Sequence, residues 1–383
     1  MAKIFTRPNI DIILVAAIIP LFLAGLITMK GLGNLDATGI LDANYYFNRQ
    51  VIWILAGFFL FFLASAVDWR ILRSGWLLLF LYTAGILILI ALLVLANAVR
   101  GARAWIQFGL FSIEPAESMK VILILVLAKY FSRRHVEIAH VKHIIISGIY
   151  AAIPTLLIFL QPDLGSAIIY ASIWLGMILV SGVSKKHLFS VLIFGVTVFL
   201  VSWLYILEPY QKARIFTFIN PAADPRGAGY NALQSMIAVG SGGVFGRGVG
   251  YGAQSRLEFL PEHETDFIFA AFAEEWGLVG VLVLFAFYAL LLWRILNAAF
   301  KGESNFEKLF GIGLFFMILS HFIIHIGMNL GVLPITGISL PFLSYGGSHT
   351  ITLLLGLGIL MGMQKYGFAS SRLAAVNKDL TLV

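Results

Sequence analysis

The 383-residue sequence contains no cysteine. Disulfide bridges, thiolate nucleophiles and cysteine-ligated metals are therefore excluded. Charge is also scarce, because only 12% of the residues are charged, whereas 60% are hydrophobic and the mean hydropathy is +0.94. Soluble domains carry charge on about a quarter of their residues. This balance predicts an integral membrane protein.

Nucleotide-binding sequences are missing as well. There is no G-x-x-x-x-G-K-[ST] phosphate loop. The run GVGYGA at residues 248–253 fits G-x-G-x-x-A, but no strand–helix–strand pattern surrounds it. We therefore expect neither a nucleotide cofactor nor a nucleic-acid partner.

Ten apolar segments predict the fold class: an all-α polytopic membrane protein with about ten transmembrane helices. Most of the segments have the roughly 20 residues that a bilayer crossing needs, although the fourth is short and amphipathic. The segments are 9–29, 51–67, 74–98, 117–131, 143–160, 165–182, 187–206, 266–296, 308–333 and 349–364.

The placement of basic residues predicts the orientation. With the N-terminus inside, sixteen lysines and arginines fall on the cytoplasmic side and five on the outer side, not counting the longest loop. Cytoplasmic loops carry the excess of basic residues. We therefore expect cytoplasmic termini, a single membrane domain at 1–366, a cytoplasmic tail at 367–383, and a large extracytoplasmic loop at 208–265, between helices 7 and 8.

The segment from Glu208 to Asp266 interrupts this apolar chain with eleven of its 45 charged residues and many glycines. Long loops usually carry function. Its glycines have two interpretations. They permit tight turns and close backbone approach, or their N–H groups form an anion cradle beside Arg247.

Asp266 stands at the outer boundary of the eighth apolar segment. A carboxylate with reduced solvation there could take a proton from a substrate hydroxyl. The structural alternative is an N-cap at this position, and the two roles are compatible if Thr265 or Glu264 caps the helix.

Glu117 and Lys120 lie three residues apart in the fourth segment, on one face of a helix. Charges inside a span usually face a cavity, so the pair marks either a functional site or a buried ion pair that fixes packing. Arg103 and Asp163 add polar groups on the same outer side, although each alone is more often a helix-end residue.

Among the other polar residues inside the spans are Glu274, Glu275, His321 and His325. Glu274 and Glu275 should face the bundle, because lipid exposure would be very costly. His321 and His325 have the i, i+4 spacing of a metal site, but no carboxylate is near in sequence. Packing is the favoured interpretation, and we predict no metal site.

Eight segments of the sequence resemble the SEDS family (shape, elongation, division and sporulation). The segments follow the family's order within its ten-span plan, and the short N-terminal tail favours the elongation branch. They are residues 161–165, 210–214, 220–230, 234–235, 240–246, 259–269, 274–277 and 333–347.

The resemblance implies a peptidoglycan glycosyltransferase that polymerises lipid II at the outer face of the bacterial cytoplasmic membrane. Asp266 matches the family's essential aspartate, and Glu117 with Lys120 matches its conserved pair. Cations would stabilise the departing diphosphate. The residues expected to contact substrate are Arg103, Asp163, Arg214, Arg247 and Glu262.

The resemblance also implies partners: lipid II, a polyprenyl-linked glycan, membrane lipid, a class B penicillin-binding protein that crosslinks the product, and other proteins of the elongation complex. No cofactor is assigned, and a divalent cation is a further possible counter-charge to the diphosphate. His325 and His349 depart from the family pattern, which has Asn and a small or hydroxyl residue there. We expect neither to touch the catalytic set.

Two other functions fit many spans with buried charges. A lipid II flippase would use the same charges as a translocation path. A scaffold that recruits a periplasmic enzyme is disfavoured, because it gains nothing from the cost of burying Glu117, Lys120, Glu274 and Glu275.

Overall fold

The structure is a computed structural model that describes residues 10–32, 44–95, 104–108, 111–133, 141–221, 227–257, 259–260 and 262–380. It is almost entirely helical. The helices are α1 (Ile12–Leu32), α2 (Tyr45–Ala66), α3 (Gly75–Leu95), α4 (Pro115–Ser132), α5 (Val141–Leu160), α6 (Leu164–Val180), α7 (Lys185–Tyr205), α8 (Pro209–Ile219), α9 (Ala228–Ser241), α10 (Ala253–Arg256), α11 (Ile268–Phe300), α12 (Asn305–Asn329) and α13 (Gly347–Leu380). Two short strands, β1 (Ile106–Phe108) and β2 (Phe111–Ile113), pair antiparallel before α4.

The prediction of a helical membrane protein is confirmed. Within the described ranges, each of the ten apolar segments overlaps a helix. Within the described ranges, α1, α2, α3, α5, α7, α11 and α12 are long and apolar enough to cross a membrane, and α6 is a shorter apolar helix. The count of ten spans and the place of the large loop between the seventh and eighth stay predictions. Helix α13 continues to Leu380, beyond the expected boundary at residue 366.

Helix α4 lies inside the bundle, in contact with α3, α5, α6, α12 and α13. It buries Glu117 and Lys120 among nine other side chains, most of them aliphatic. A charge on a lipid-facing helix would be very costly, whereas a central helix can surround its charges with partners. Its place in the bundle therefore explains how a short, charged segment is tolerated. By contrast, α7 has no buried residue.

The segment 208–265 is not one irregular loop, because α8, α9 and α10 lie within it. Helix α9 packs against both α11 and α12. The buried hydroxyl of Ser235 in α9 donates a hydrogen bond to the carbonyl oxygen of Asn329, 2.9 Å away. The segment therefore folds onto the helices that follow it.

The glycine-rich part of this segment runs along a kink in α11. Gly277 has φ 66° and ψ −168°, which interrupts the helix. The N–H groups of Arg247 and Gly248 donate to the carbonyl oxygens of Glu274 and Glu275, at 2.9 and 3.0 Å, and so replace bonds that the kink removes. A Cβ on Gly246 would stand 2.1 Å from the Glu275 carbonyl oxygen, so only glycine fits there. Close backbone approach is therefore the role of Gly246 and of Gly242, where a Cβ would stand 2.1 Å from the Ala273 carbonyl oxygen.

Candidate active site

The predicted pair in α4 forms a buried ion pair. Nζ of Lys120 lies 2.7 Å from Oε1 of Glu117. Lys120 is fully buried and Glu117 is 7% exposed. Two histidines complete the cluster: Nε2 of His321 in α12 is 3.2 Å from the ammonium, and Nδ1 of His349 in α13 is 2.9 Å from Oε2 of Glu117. The charges are thus enclosed by three helices.

The chemistry of the donors fixes where the hydrogens lie. An ammonium only donates, so Nε2 of His321 accepts from Lys120, and its Nδ1–H donates to the carbonyl oxygen of Ser339, 3.2 Å away. A carboxylate only accepts, so Nδ1 of His349 carries the hydrogen of its bond to Glu117. Both oxygens of the Glu117 carboxylate are therefore engaged.

Glu117, His321 and His349 also form the one group of metal-ligand type among the residues that the structure describes, with ligand atoms within 4.8 Å of one another. The ammonium of Lys120, however, already touches two of the three. A divalent cation would have to displace it. Lys120 is therefore the cation of this cluster, and the absence of a metal site stays a prediction.

His325 does not join His321 as a ligand pair. Its Nδ1–H donates to the carbonyl oxygen of Ile338, 2.6 Å away, and the residue is fully buried. His321 makes the equivalent bond to Ser339. The i, i+4 spacing thus places two imidazoles against one segment of backbone, in agreement with packing.

The expectation that His349 stays clear of the catalytic set was wrong. Sequence spacing could not reveal this, since 232 residues separate His349 from Glu117. The sequence patterns also did not single out Glu114. Its backbone N–H donates to the hydroxyl of Ser348, and burial, with the Glu117 and Asp163 carboxylates nearby, raises the pKa of its side chain well above the usual range.

Asp266 lies in the turn that leads into α11. The N-cap is Phe267, with no side-chain capping bond, so neither Asp266 nor Thr265 holds the capping position. The carboxylate faces Gly337, where an added Cβ would be 3.5 Å from Oδ2. Asp266 is partly exposed.

Backbone contacts hold this turn firmly. Tyr345 N–H donates to the Glu264 carbonyl oxygen at 2.9 Å, and the Ser344 hydroxyl donates to that of Thr265 at 2.8 Å. The side-chain amide of Asn329 donates to the carbonyl oxygen of Asp266 at 3.1 Å. The start of α11 is thereby fixed to the end of α12 and to the segment before α13.

Glu262 shapes the same turn. Its φ of 49° is unusual for a residue other than glycine. Its carbonyl oxygen accepts the N–H groups of Thr265, Asp266 and Phe267, at 3.0 to 3.2 Å. In these contacts Glu262 positions the turn that carries Asp266.

One stretch, residues 336–349, touches both parts of the site. Gly337 lies against Asp266, the carbonyl oxygen of Ser339 accepts from His321, and His349 donates to Glu117. This stretch therefore contacts both Asp266 and the buried pair, and α12 likewise contributes Asn329 to the Asp266 turn and His321 to the pair.

The other predicted site residues lie elsewhere. Asp163 caps α6, where its Oδ1 accepts the N–H of Ser166 at 2.9 Å, as expected of a helix-end residue. Arg214, partly buried on α8, lines a recess with Met236 and Leu333. No carboxylate in the described part of the chain pairs with it. Arg103 lies outside the described residues.

The backbone N–H groups around Arg247 are bonded within the protein. Its side chain is exposed, and Nε donates to the carbonyl oxygen of Ser241 at 2.8 Å. Its own N–H and that of Gly248 bond to α11, and the N–H of Gly250 donates to Oε1 of Glu275 at 2.8 Å. The cradle interpretation is therefore wrong for these three N–H groups.

Glu274 and Glu275 face the bundle, as predicted. The Glu274 carboxylate accepts the N–H of Gln254 at 2.8 Å, and both the N–H and the hydroxyl of Ser255 at 3.1 and 2.8 Å. These carboxylates anchor α10 and the glycine-rich segment to α11. Their burial is explained by structure rather than catalysis.

Comparisons with known proteins agree with this architecture. Residues 11–367 match a family of cell cycle proteins named for FtsW, RodA and SpoVE. The peptidoglycan glycosyltransferase MrdB of Escherichia coli strain K12 is 37% identical over 324 residues, which cover 83% of this chain and 85% of that protein.

Two solved structures are similar over almost the whole chain. One belongs to a study of how a peptidoglycan synthase complex coordinates polymerization and crosslinking; it has a TM-score of 0.79 and 29% identity, covering 94% of this chain and 99% of the other. The rod shape determining protein RodA of Thermus thermophilus has a TM-score of 0.69 and 29% identity, covering 94% and 98%.

Proposed function

Since this chain belongs to the FtsW, RodA and SpoVE family and is a peptidoglycan glycosyltransferase of the membrane, we propose that it polymerises lipid II into glycan strands for cell-wall elongation and rod shape. The observation that carries the proposal is the fully buried ammonium of Lys120. Charged side chains inside membrane bundles are rare, pair with one another or face a cavity, and often mark a functional site.

Asp266 acts as the general base in this proposal. Its carboxylate removes the proton from the 4-hydroxyl of the acceptor GlcNAc, and the oxygen attacks the anomeric carbon of the donor MurNAc. The bond from that carbon to the polyprenyl diphosphate breaks, and the diphosphate leaves with the electron pair. A positioned base typically contributes about 10²–10⁴-fold. The side-chain-free surface of Gly337 leaves the carboxylate approachable.

Lys120 is the first candidate to stabilise the departing diphosphate. An ammonium has three donors, and its contacts with Glu117 and His321 use two of them. We assign the third to an anionic oxygen of the diphosphate, which would have to enter the bundle because Lys120 is fully buried. Arg214 and Arg103 are further candidates, whereas Arg247 is weaker because it is exposed beside the kink of α11.

No dedicated cofactor is needed, because lipid II carries its own activated leaving group. A divalent cation that accompanies the diphosphate could share the charge stabilisation. Glu262 and Asp163 contribute by shaping the Asp266 turn and the start of α6, rather than by direct chemistry.

The protein is a multi-pass protein of the bacterial inner membrane. We further propose ten spans, cytoplasmic termini, and an active site on the extracytoplasmic side. The sixteen-to-five excess of basic residues supports this orientation. Apolar grooves between the helices would hold the polyprenyl chains of both substrates.

A class B penicillin-binding protein is the proposed partner, together with other proteins of the elongation complex. The structural similarity to a peptidoglycan synthase complex that coordinates polymerization with crosslinking supports a crosslinking partner. The transpeptidase would join the stems of strands as this chain extends them.

Detergent-solubilised protein distinguishes the polymerase from a lipid II flippase. The free energy lies in the diphosphate bond of the substrate, so purified protein with its crosslinking partner should convert labelled lipid II to glycan without ATP or a membrane potential. A flippase needs two separated compartments. Inert detergent samples, together with movement of lipid II between the leaflets of liposomes, would favour the transporter.

A further inference from the structure

His349 is placed in the first turn of α13 by the tight turn before it, and it is buried, with 5% of its surface exposed. Its Nδ1 is 2.9 Å from Oε2 of Glu117. Its ring also lies beside that of His321, with 4.6 Å between the centroids. The side chain thus reaches from α13 to the charged face of α4.

The bond to Glu117 is the one polar contact of this imidazole among the residues that the structure describes. Nε2 is buried and has no hydrogen-bond partner there. The hydrogen bond that His349 makes in the described structure is therefore the one from Nδ1 to Glu117.

This contact determines how the carboxylate is held. Lys120 binds Oε1, and His349 binds Oε2, so the plane of the carboxylate cannot turn without losing one of them. Lys120 is in turn held between Glu117 and His321. Removing the donor on Oε2 would free the carboxylate and, with it, the ammonium.

We propose that His349 is a positioning residue of the reaction, which acts through its Nδ1–H on Glu117 and thereby on Lys120. This inference rests on the proposed function, because it takes Lys120 to stabilise the leaving diphosphate. His349 then affects turnover more than the binding of lipid II. It touches Glu117 and His321, and it need not contact substrate.

Two amide substitutions test this role with matched chemistry. In His349→Asn, the amide nitrogen is bonded to Cγ, as Nδ1 is, and can donate to Glu117. In His349→Gln, the amide nitrogen is one bond further out, near the place of Nε2. We expect His349→Asn to keep most of the wild-type kcat. His349→Gln and His349→Ala should lose about 10- to 100-fold, the scale of a misplacement near 1 Å, with KM for lipid II little changed.

Measurements on the same variants can also refute the proposal. Equal losses in His349→Asn and His349→Gln, wild-type kcat in His349→Ala, or a change confined to KM would each overturn it. Thermal unfolding of every variant checks folding, and if His349→Ala does not fold, the two amides decide. Wild-type protein that makes no glycan would instead refute the proposed function.

A second measurement is independent of turnover. The ¹⁵N spectrum of the full chain labelled at histidine should contain an Nδ1–H signal that disappears in His349→Ala. An Nδ1 of His349 without hydrogen would contradict the contact with Glu117 and, with it, the positioning role.

Discussion

Gly337 lies directly against the carboxylate of Asp266. A Cβ at Gly337 would be 3.5 Å from Oδ2, and the residue has φ +73°. The position therefore combines a backbone conformation that favours glycine with an open approach to the proposed base. No other residue type offers both.

Substituting Gly337 tests whether this approach matters. In Gly337→Ala, the positive φ should cost about 1–2 kcal/mol of stability, and the new methyl group should shield the carboxylate. Gly243→Ala is a matched control, because Gly243 has φ +54° with open space around its Cβ position.

Both variants should therefore unfold at a lower temperature, and Gly337→Ala alone should lose polymerisation. Glycan synthesis is measured on a gel for both variants, and thermal unfolding is measured on the same preparations. Equal activity of the two variants would show that the open face of Gly337 is not used.

The buried pair gives a second prediction. Glu117→Ala and Lys120→Ala should each abolish most activity and destabilise the protein by about 3–5 kcal/mol, because each leaves an uncompensated buried charge. The double variant Glu117→Gln with Lys120→Met restores neutrality and should recover stability but not glycan synthesis.

Thermal unfolding and lipid II polymerisation are measured for these three variants. Together they distinguish a structural role of the pair from a role in the reaction. If the neutral double variant polymerises at the wild-type rate, the pair only fixes packing, and Lys120 does not contact the diphosphate.

Glu114 gives a prediction on pH. Burial, with the Glu117 and Asp163 carboxylates beside it, raises the pKa of the Glu114 side chain well above the ordinary range of a glutamate. Such a group stabilises the fold below its unfolded pKa, and this stability is lost as pH rises through the folded pKa. Glu114→Gln cannot ionise, so its unfolding temperature relative to wild type should increase as pH rises from 4.5 toward neutral.

The difference in unfolding temperature between Glu114→Gln and wild type is the relevant quantity. Glu303→Gln removes an exposed carboxyl and serves as the control. Its unfolding temperature relative to wild type should vary less with pH. A pH-independent difference for Glu114→Gln would contradict a raised pKa in the folded protein.

The sequence predicts the helices well because an apolar run of membrane length has few alternatives to a helix. It also predicts that Glu117 and Lys120 pair, since i, i+3 residues share a helix face. The inward orientation of Glu274 and Glu275 follows from the cost of exposing carboxylates to lipid.

Sequence patterns could not predict the long-range contacts. The approach of His349 to Glu117 depends on how α13 packs on α4, and no local periodicity encodes it. The glycines between residues 240 and 252 suggested two roles, and only the kink at Gly277 shows which backbone some of them approach. Three helices within 208–265 were hidden by its charge and glycine content.

The most direct measurement of the central claim compares Asp266→Asn with Glu264→Gln. Each removes one carboxylate from the same turn, but only Asp266 is proposed as the base. Purified variants with the crosslinking partner are given labelled lipid II, and glycan is resolved on a gel. Asp266→Asn should fold normally and lose about 10²–10⁴-fold in rate, whereas Glu264→Gln keeps most of its activity. Well-folded Asp266→Asn that polymerises at the wild-type rate would contradict the account.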